Sequence, residues 1–521
     1  MWNKIKKKKI SLLICLCFVP IIFIFCLTLF GIGYSIFNNW KQMTIFINEI
    51  KQFKILSWWN YIIKSKYGLL ITVGLSLAFY CWFFYFVLFS KVKNKETAIK
   101  TTNKIDFGDS KWLSIKEIDD ISEKVNIKDN YKNTGFVFNC NKNKKYLLFN
   151  LKNNIHSVVV GSTASGKTQG IVLPTIYLNG KSTAKPTMII TDPKGELYNL
   201  TSGFLEENGY KIKVVDFRNL EKGNTWNPLK IIYDDFIKMI ITDNEKDKIK
   251  WKIKYQDKIR TFSHMLIVNK NIENKFWNNS ARMIIQGIIL AILEDYEDKI
   301  NKNNLTTEIE EILNQELFFN KFNMASVAAI ASFKKDLVEW LNNRKNTSIA
   351  KITASQALVD SKENRTLDSI LSTIYESLEI FNNDFIRNLT SQNDINYNDF
   401  IEYPTVLYII FSDENDNYYK LIAILISQIY QFLTNHASKT TQRKLEKPVY
   451  FILDEFANLT KINNFERWVS ISRDRNIFFQ LILQDINQLK LNYGDTIAKI
   501  ILNVETIYIW QDFGFYKLAV N

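Results

Sequence analysis

Residues 161–168 read Gly-Ser-Thr-Ala-Ser-Gly-Lys-Thr, and no other stretch narrows the possible fold as much. The run fits G-x-x-x-x-G-K-[ST], a loop whose backbone amides cradle phosphate groups. The pattern arises by chance, so its setting decides. His156 to Val160 precedes it, a short apolar run that reads as a buried parallel strand. Gln169 to Leu173 follows and can continue a helix until Pro174. Strand, glycine loop and helix N-terminus are what phosphate binding needs, because loop amides and helix dipole both favour negative charge. Gly161, Ser162, Thr163, Ala164, Ser165, Gly166, Lys167 and Thr168 form the expected ATP cradle. Lys167 would reach the β- and γ-phosphates, and the Thr168 hydroxyl would hold Mg²⁺. A glycine-rich turn without a ligand accounts for the motif but not for its setting.

A second half-site lies far downstream. Val449 to Leu453 is an apolar strand ending in Asp454 and Glu455. Asp454 would hold Mg²⁺ through water, and Glu455 would orient and deprotonate the attacking water. Two solvated acids at a strand end are common, so this pair gains its meaning from the phosphate loop in the same chain. A large insertion must separate the halves.

Two uncharged apolar stretches, Ser11 to Phe37 and Tyr67 to Ser90, are each long enough to cross a bilayer. Lysines 4, 6, 7, 8 and 9 precede the first, as in a signal peptide, but the apolar run is long and no small-residue cleavage site follows. The expectation is an uncleaved two-helix anchor. Nine lysines flank the pair outside and five lie between, weakly favouring both ends inside. ATP and Mg²⁺ are cytosolic, so the expected location is the cell membrane, multi-pass, with the ATPase body in the cytoplasm. The net charge is +14, but residues 1–100 alone carry +12, leaving +2 for the rest. The basic excess therefore argues for contact with anionic lipid rather than for a DNA-binding face. Cys15, Cys17, Cys26, Cys81 and Cys140 show no metal or disulfide spacing.

Residues 91–130 are polar and read as a linker with short elements. Gly135 to Asn139 and Tyr146 to Asn150 flank a polar turn and predict a β-hairpin. Pro186 to Asp192, Tyr210 to Phe217, Thr405 to Phe411, Phe478 to Leu483 and Thr506 to Trp510 join the two strands above as buried strands. Helical periodicity dominates between about 230 and 400, notably at 276–295, 324–341 and 350–380. Strands alternating with helices predict a parallel sheet covered on both faces. The expected division is an anchor at 1–95, linker and hairpin at 96–150, nucleotide core at 151–235 and 401–521, and an all-α domain at 236–400.

Arg473 and Arg475 follow the Asp454 strand by about one helix. In ring ATPases an Arg from one subunit stabilises phosphoryl charge in its neighbour. On position alone, a surface Arg paired with Asp474 is the simpler reading. Gln484 follows the strand Phe478–Leu483, where a polar side chain meets the ligand edge of such a sheet and could sense the γ-phosphate. A strand-end amide capping a turn is the plain alternative. Asn503 has a similar, weaker claim.

These residues together resemble the TraG-type coupling proteins of type IV secretion, in the FtsK/HerA branch of RecA-like motor ATPases. The resemblance rests on His156 to Gly161 running into the loop, Thr191-Asp192-Pro193-Lys194-Gly195-Glu196-Leu197, Trp226-Asn227-Pro228-Leu229, Phe276-Trp277 with Ser280-Ala281-Arg282, Leu453-Asp454-Glu455-Phe456-Ala457-Asn458-Leu459, the Arg473 segment, and Gln484 to Leu489. It spans about residues 130–510. The fold it implies is α/β: a RecA-like P-loop NTPase core with an inserted all-α domain, preceded by an N-terminal two-helix transmembrane anchor. It also implies a homo-hexameric ring that uses ATP to pass relaxase-bound DNA to type IV secretion channel components. By position it makes Arg473 the trans-acting Arg and Gln484 the post-strand sensor, and it gives the helical insertion a role in substrate choice. Family members usually continue beyond the strand at Trp510 with a loop and helix, so a truncated, inactive remnant is one alternative. An FtsK-like translocase and a non-pumping substrate receptor are the others; Glu455→Gln should abolish transfer by a motor but not by a receptor.

Overall fold

The structure is a computed structural model, and it describes residues 70, 73–74, 77–78, 111–112, 115–126, 131–141, 147–151, 155–219, 223–268, 275–302, 321–359, 364–414, 416–503, 506–512 and 515–520. The chain divides into two compact units, Met1–Ile105 and Asp106–Asn521. In the first, the described residues are helical and include the exposed Leu70 and Leu77. The spans expected at 11–37 and 67–90 lie outside the described residues apart from those few. Among the described residues no helix is long and apolar enough to cross a membrane. That finding overturns the multi-pass localisation. The longest described helix, Lys275–Lys302, has the length, but Asn278, Asn279, Arg282 and Gln286 interrupt it, and its isoleucines pack into the protein core.

In the second unit a nine-stranded sheet holds the fold together. Its strands are β1 (Lys111–Trp112), β5 (His156–Val160), β6 (Thr187–Asp192), β7 (Lys211–Asp216), β8 (Thr405–Ile410), β9 (Val449–Leu453), β10 (Ile477–Leu483), β11 (Thr506–Asp512) and β12 (Phe515–Val520). Their spatial order is β1-β12-β11-β5-β10-β9-β6-β8-β7. From β11 to β7 every pairing is parallel. All seven expected strands are present. The cause is visible in composition: β5, β6, β8, β9 and β10 are buried along their whole length, so both faces need apolar side chains. Beyond Trp510, β12 turns back antiparallel against β11 and β1. A small antiparallel sheet, β2 (Ser122–Asn126), β4 (Leu147–Leu151) and β3 (Val137–Asn141), contains the expected hairpin and adds a strand the sequence did not reveal. Phe136 and Phe138, two residues apart, both reach the large-sheet core while Val137 between them packs with Val125, and a bulge interrupts the pairing between Val137 and Asn139.

Alternate residues of each strand serve two cores. Val159, Met188, Ile190, Tyr408, Ile452 and Ile482 meet Phe136, Phe138, Ile171 and Ile176 on one face. Val158, Ile189, Leu407, Phe451, Leu453 and Leu481 meet the helix Tyr419–Ala437 and the helices between β7 and β8 on the other. Those helices form one continuous apolar cluster with the sheet. Several motif residues prove to be stitching. The Trp226 N–H donates to Leu389 O at 2.8 Å and its indole donates to the Tyr397 hydroxyl at 3.0 Å. Asn227 donates to Phe322 O at 2.9 Å. Buried Arg282 closes the end of helix Glu245–Leu266 by donating twice to Ile267 O, at 3.0 and 2.6 Å.

The helix after the phosphate loop does not stop at Pro174. A wide turn over Thr168–Val172 passes into an α-helix at Leu173–Lys181, with Pro174 in its first turn. The Leu173 N–H reaches back five residues to Thr168 O, so one carbonyl is skipped where the ring sits. Proline costs little at that register change because its missing donor has no partner to lose.

Candidate nucleotide site

Parallel strands put every C-terminal end on one edge of the sheet, where ligands bind in such folds. There β5 gives way to the loop at Gly161, β9 to Asp454, and β10, which lies between them, to Gln484. The Gly161 N–H donates to Leu483 O at 3.2 Å, fixing the loop's start to β10. Ala164 and Gly166 take left-handed backbone, with φ of 60° and 92°. Gly166 does so freely, whereas Ala164 costs on the order of 1–2 kcal/mol. The reversal turns the loop back on itself and leads into the helix, where the Gly170 N–H donates to Gly166 O at 2.8 Å.

Lys167 is buried and its Nζ donates to Gly161 O at 2.5 Å and Ser162 O at 3.1 Å. Burial lowers its pKa, and the charges of Glu455 and Asp454 act against that. The two acids expected from β9 therefore do face the loop lysine. Asp454 is pushed up to about 7, first by burial and then by Glu455 beside it. Its Oδ1 accepts the Glu455 N–H at 3.0 Å, and its carbonyl accepts the Thr191 hydroxyl at 2.9 Å, tying β9 to β6. Asp192 adds negative charge from β6; its own pKa is raised by burial, and it accepts the Tyr198 N–H at 2.9 Å.

Glu455 has φ of 54°, also left-handed, so the chain turns sharply after β9. Gln484 Nε2 donates to Glu455 Oε1 at 2.9 Å, and Asn458 Nδ2 donates to Glu455 Oε2 at 3.1 Å. The Thr163 hydroxyl donates to Gln484 Oε1 at 3.4 Å. Gln484 thus bridges the phosphate loop and the glutamate. Asn458 was not among the expected site residues; its position three after Glu455, on a turn, was the available signal.

Arg473 and Asn503 are not brought to this edge. Arg473–Arg475 is the turn entering β10 at Ile477, and Asn503 ends the helix before β11. Both lie at the N-terminal edge, a strand length or about 20 Å from the loop. The charge of Arg473 bears on His156, the first residue of β5, at that same edge. Arg475 donates to Thr434 O at 2.9 Å and so holds the turn to a neighbouring helix.

Mg²⁺ suits the residues at the C-terminal edge. Among the described residues no three His, Cys, Asp or Glu side chains gather to hold a metal. Mg²⁺ uses one or two protein oxygens and otherwise water and phosphate. A dication would relieve the crowding of Asp454, Glu455 and Asp192. A large cleft of about 1220 Å³, lined among others by Trp251, Lys254, Gln428 and Lys439, lies elsewhere and contains none of these residues.

The family described as type IV secretory system conjugative DNA transfer matches residues 100–512. A conjugal transfer protein TraG of Escherichia coli is 24% identical over 350 residues, covering 64% of this chain and 49% of that protein. Protein VirD4 of Rhizobium radiobacter is 22% identical over 345 residues, covering 65% and 43%. The chain spans about half the length of these curated relatives. Among solved structures, the plasmid coupling protein TrwB in complex with a non-hydrolysable GTP analogue aligns with a TM-score of 0.47 at 12% identity, over 78% of this chain and 81% of that one.

Proposed function

Because the chain belongs to the type IV secretory system conjugative DNA transfer family, we propose that it hydrolyses ATP to couple a relaxase–DNA substrate to a type IV secretion channel. One observation carries the reading: Lys167, Asp454, Glu455 and Gln484, remote in sequence, converge on the C-terminal ends of three adjacent strands.

In this reading the amides of Gly161–Thr168 bind the phosphates, and Lys167 leaves its two loop carbonyls for the β- and γ-phosphate oxygens. Thr168 and Asp454 hold Mg²⁺, which supplies charge neutralisation on the phosphates. Glu455 takes a proton from water as its oxygen bonds to the γ-phosphorus and the bond to the bridging oxygen breaks. Gln484, hydrogen-bonded to both the loop and Glu455, registers whether a γ-phosphate is present. Arg473, too far away within one subunit, serves the site of a neighbour in a homo-hexameric ring, which is the family's expected assembly. DNA, with a bound relaxase, and channel components are the partners.

The test is ATP turnover by the full chain, with and without single- and double-stranded DNA, beside Lys167→Ala and Glu455→Gln. DNA-stimulated turnover lost in both variants, with nucleotide still bound by Glu455→Gln, is expected. Turnover unaffected by either substitution would sink the proposal.

A further inference from the structure

We propose that Asn458 is a positioning residue for Glu455, and that the helix Ile486–Tyr493 sets the aim of that glutamate by holding both of its hydrogen-bond donors. The proposal rests on the reading of Glu455 as the group that deprotonates water.

A glutamate has three side-chain torsions, and its fixed aim must come from its neighbours. Glu455 has two such neighbours, one on each oxygen: Gln484 on Oε1 and Asn458 on Oε2. Asn458 is locked to Glu455 twice, because its backbone N–H also donates to Glu455 O at 3.0 Å. Its turn, Phe456–Asn458, is in turn fixed from one helix. Asn492 Nδ2 donates to Ala457 O at 3.3 Å and to Leu459 O at 2.6 Å, on either side of Asn458. Buried Phe456 stacks on Tyr493 at 5.8 Å, and the Tyr493 hydroxyl accepts the Ile462 N–H at 3.1 Å. Asn492 and Tyr493 end the helix Ile486–Tyr493. The same helix begins just after Gln484, capped by Asp485, whose Oδ1 accepts the Asn487 N–H at 3.0 Å. One helix therefore carries one donor at its start and braces the other from its end. Because Gln484 also accepts from Thr163 of the phosphate loop, a change in that loop reaches both amides through a single rigid element.

The test is steady-state and single-turnover ATP hydrolysis by the full chain, with Asn458→Ala, Glu455→Gln and the double variant. Loss of a partner that aims a reacting group costs about 10–100-fold in activity. A fall of that size in kcat for Asn458→Ala is expected, with KM changed by less than about twofold, since the phosphate loop is untouched. If Asn458 acts through Glu455, adding Asn458→Ala to Glu455→Gln should alter the residual rate by less than about twofold. Equal losses in both backgrounds, or no loss in the wild-type background, would overturn the proposal. Asn458→Asp keeps the shape and replaces the donor with an acceptor; it should show the same kcat loss even if the alanine variant does not fold. Wild-type protein without turnover would remove the functional reading and this inference with it. Turnover with additive losses would remove only the inference.

Discussion

Replacing His156 should abolish a specific pH dependence of stability. The ring is buried at the start of β5 and bonded at both nitrogens. Its Nδ1 accepts the Phe479 N–H at 3.0 Å, so the proton sits on Nε2, which donates to Val469 O at 2.9 Å. Protonating Nδ1 would set two N–H groups against each other. Burial lowers the pKa from 6.5 to about 4, with Arg473 contributing in the same direction. The unfolded state therefore binds the proton first as pH falls, and stability drains away between pH 6.5 and 4. The full span is worth about 3 kcal/mol, of which about 2 kcal/mol is lost by pH 5. Asp454, raised to about 7, works the opposite way, because its folded form binds the proton first. Comparing wild type with His156→Gln cancels that term. Urea unfolding at pH 7 and pH 5 should show the wild type losing about 2 kcal/mol more than the variant. An equal loss in both proteins would refute the account of His156 as a neutral, doubly bonded strut.

Mixing Lys167→Ala with Arg473→Ala subunits, each inactive alone, should restore about a quarter of wild-type turnover if Arg473 acts across a ring interface; no recovery would refute action across that interface. Lowering pH below 7 should raise the Mg²⁺ concentration needed for half-maximal nucleotide binding, because a proton on Asp454 competes with the ion, and Asp454→Asn should flatten that dependence in a titration at pH 6 and 8. Gly287 lets helix Lys275–Lys302 approach helix Ile349–Val359, and a methyl there would stand 2.9 Å from Ala354 Cβ. Gly287→Ala should therefore lose about 1–2 kcal/mol in a denaturant melt, despite the gain in helix propensity; a stabilised variant would show that the helices separate at little cost.

The sheet was legible because β5, β6, β8, β9 and β10 are buried on both faces. Runs such as Val449 to Leu453 and Thr405 to Ile410 announce themselves without reference to partners. The phosphate loop was legible for a different reason: its chemistry demands particular residues at fixed spacing. What stayed hidden depends on neighbours distant in the chain. β2, exposed at Lys124 and Asn126, lacks the double-sided burial signature, and β12 is defined by its antiparallel pairing with β11 and β1. The continuation past Pro174 depends on a skipped carbonyl that no periodicity records. The clasp of Gln484 and Asn458 on Glu455 is a matter of side-chain reach, and Arg473 could be assigned an edge of the sheet only once strand direction was known.

The placement of the helices between β7 and β8 has a mechanical consequence. These strands are parallel neighbours, so the chain leaves one edge of the sheet at Asp216 and must re-enter at the opposite edge at Thr405. The whole helical segment is thus a crossover connection enlarged many times, carrying the chain back over the face that its isoleucines and leucines cover. Cutting it out cannot leave a bare linker in its place. A replacement has to span a strand length and bring its own apolar face, as a single amphipathic helix would, or the sheet beside Leu453 loses its cover.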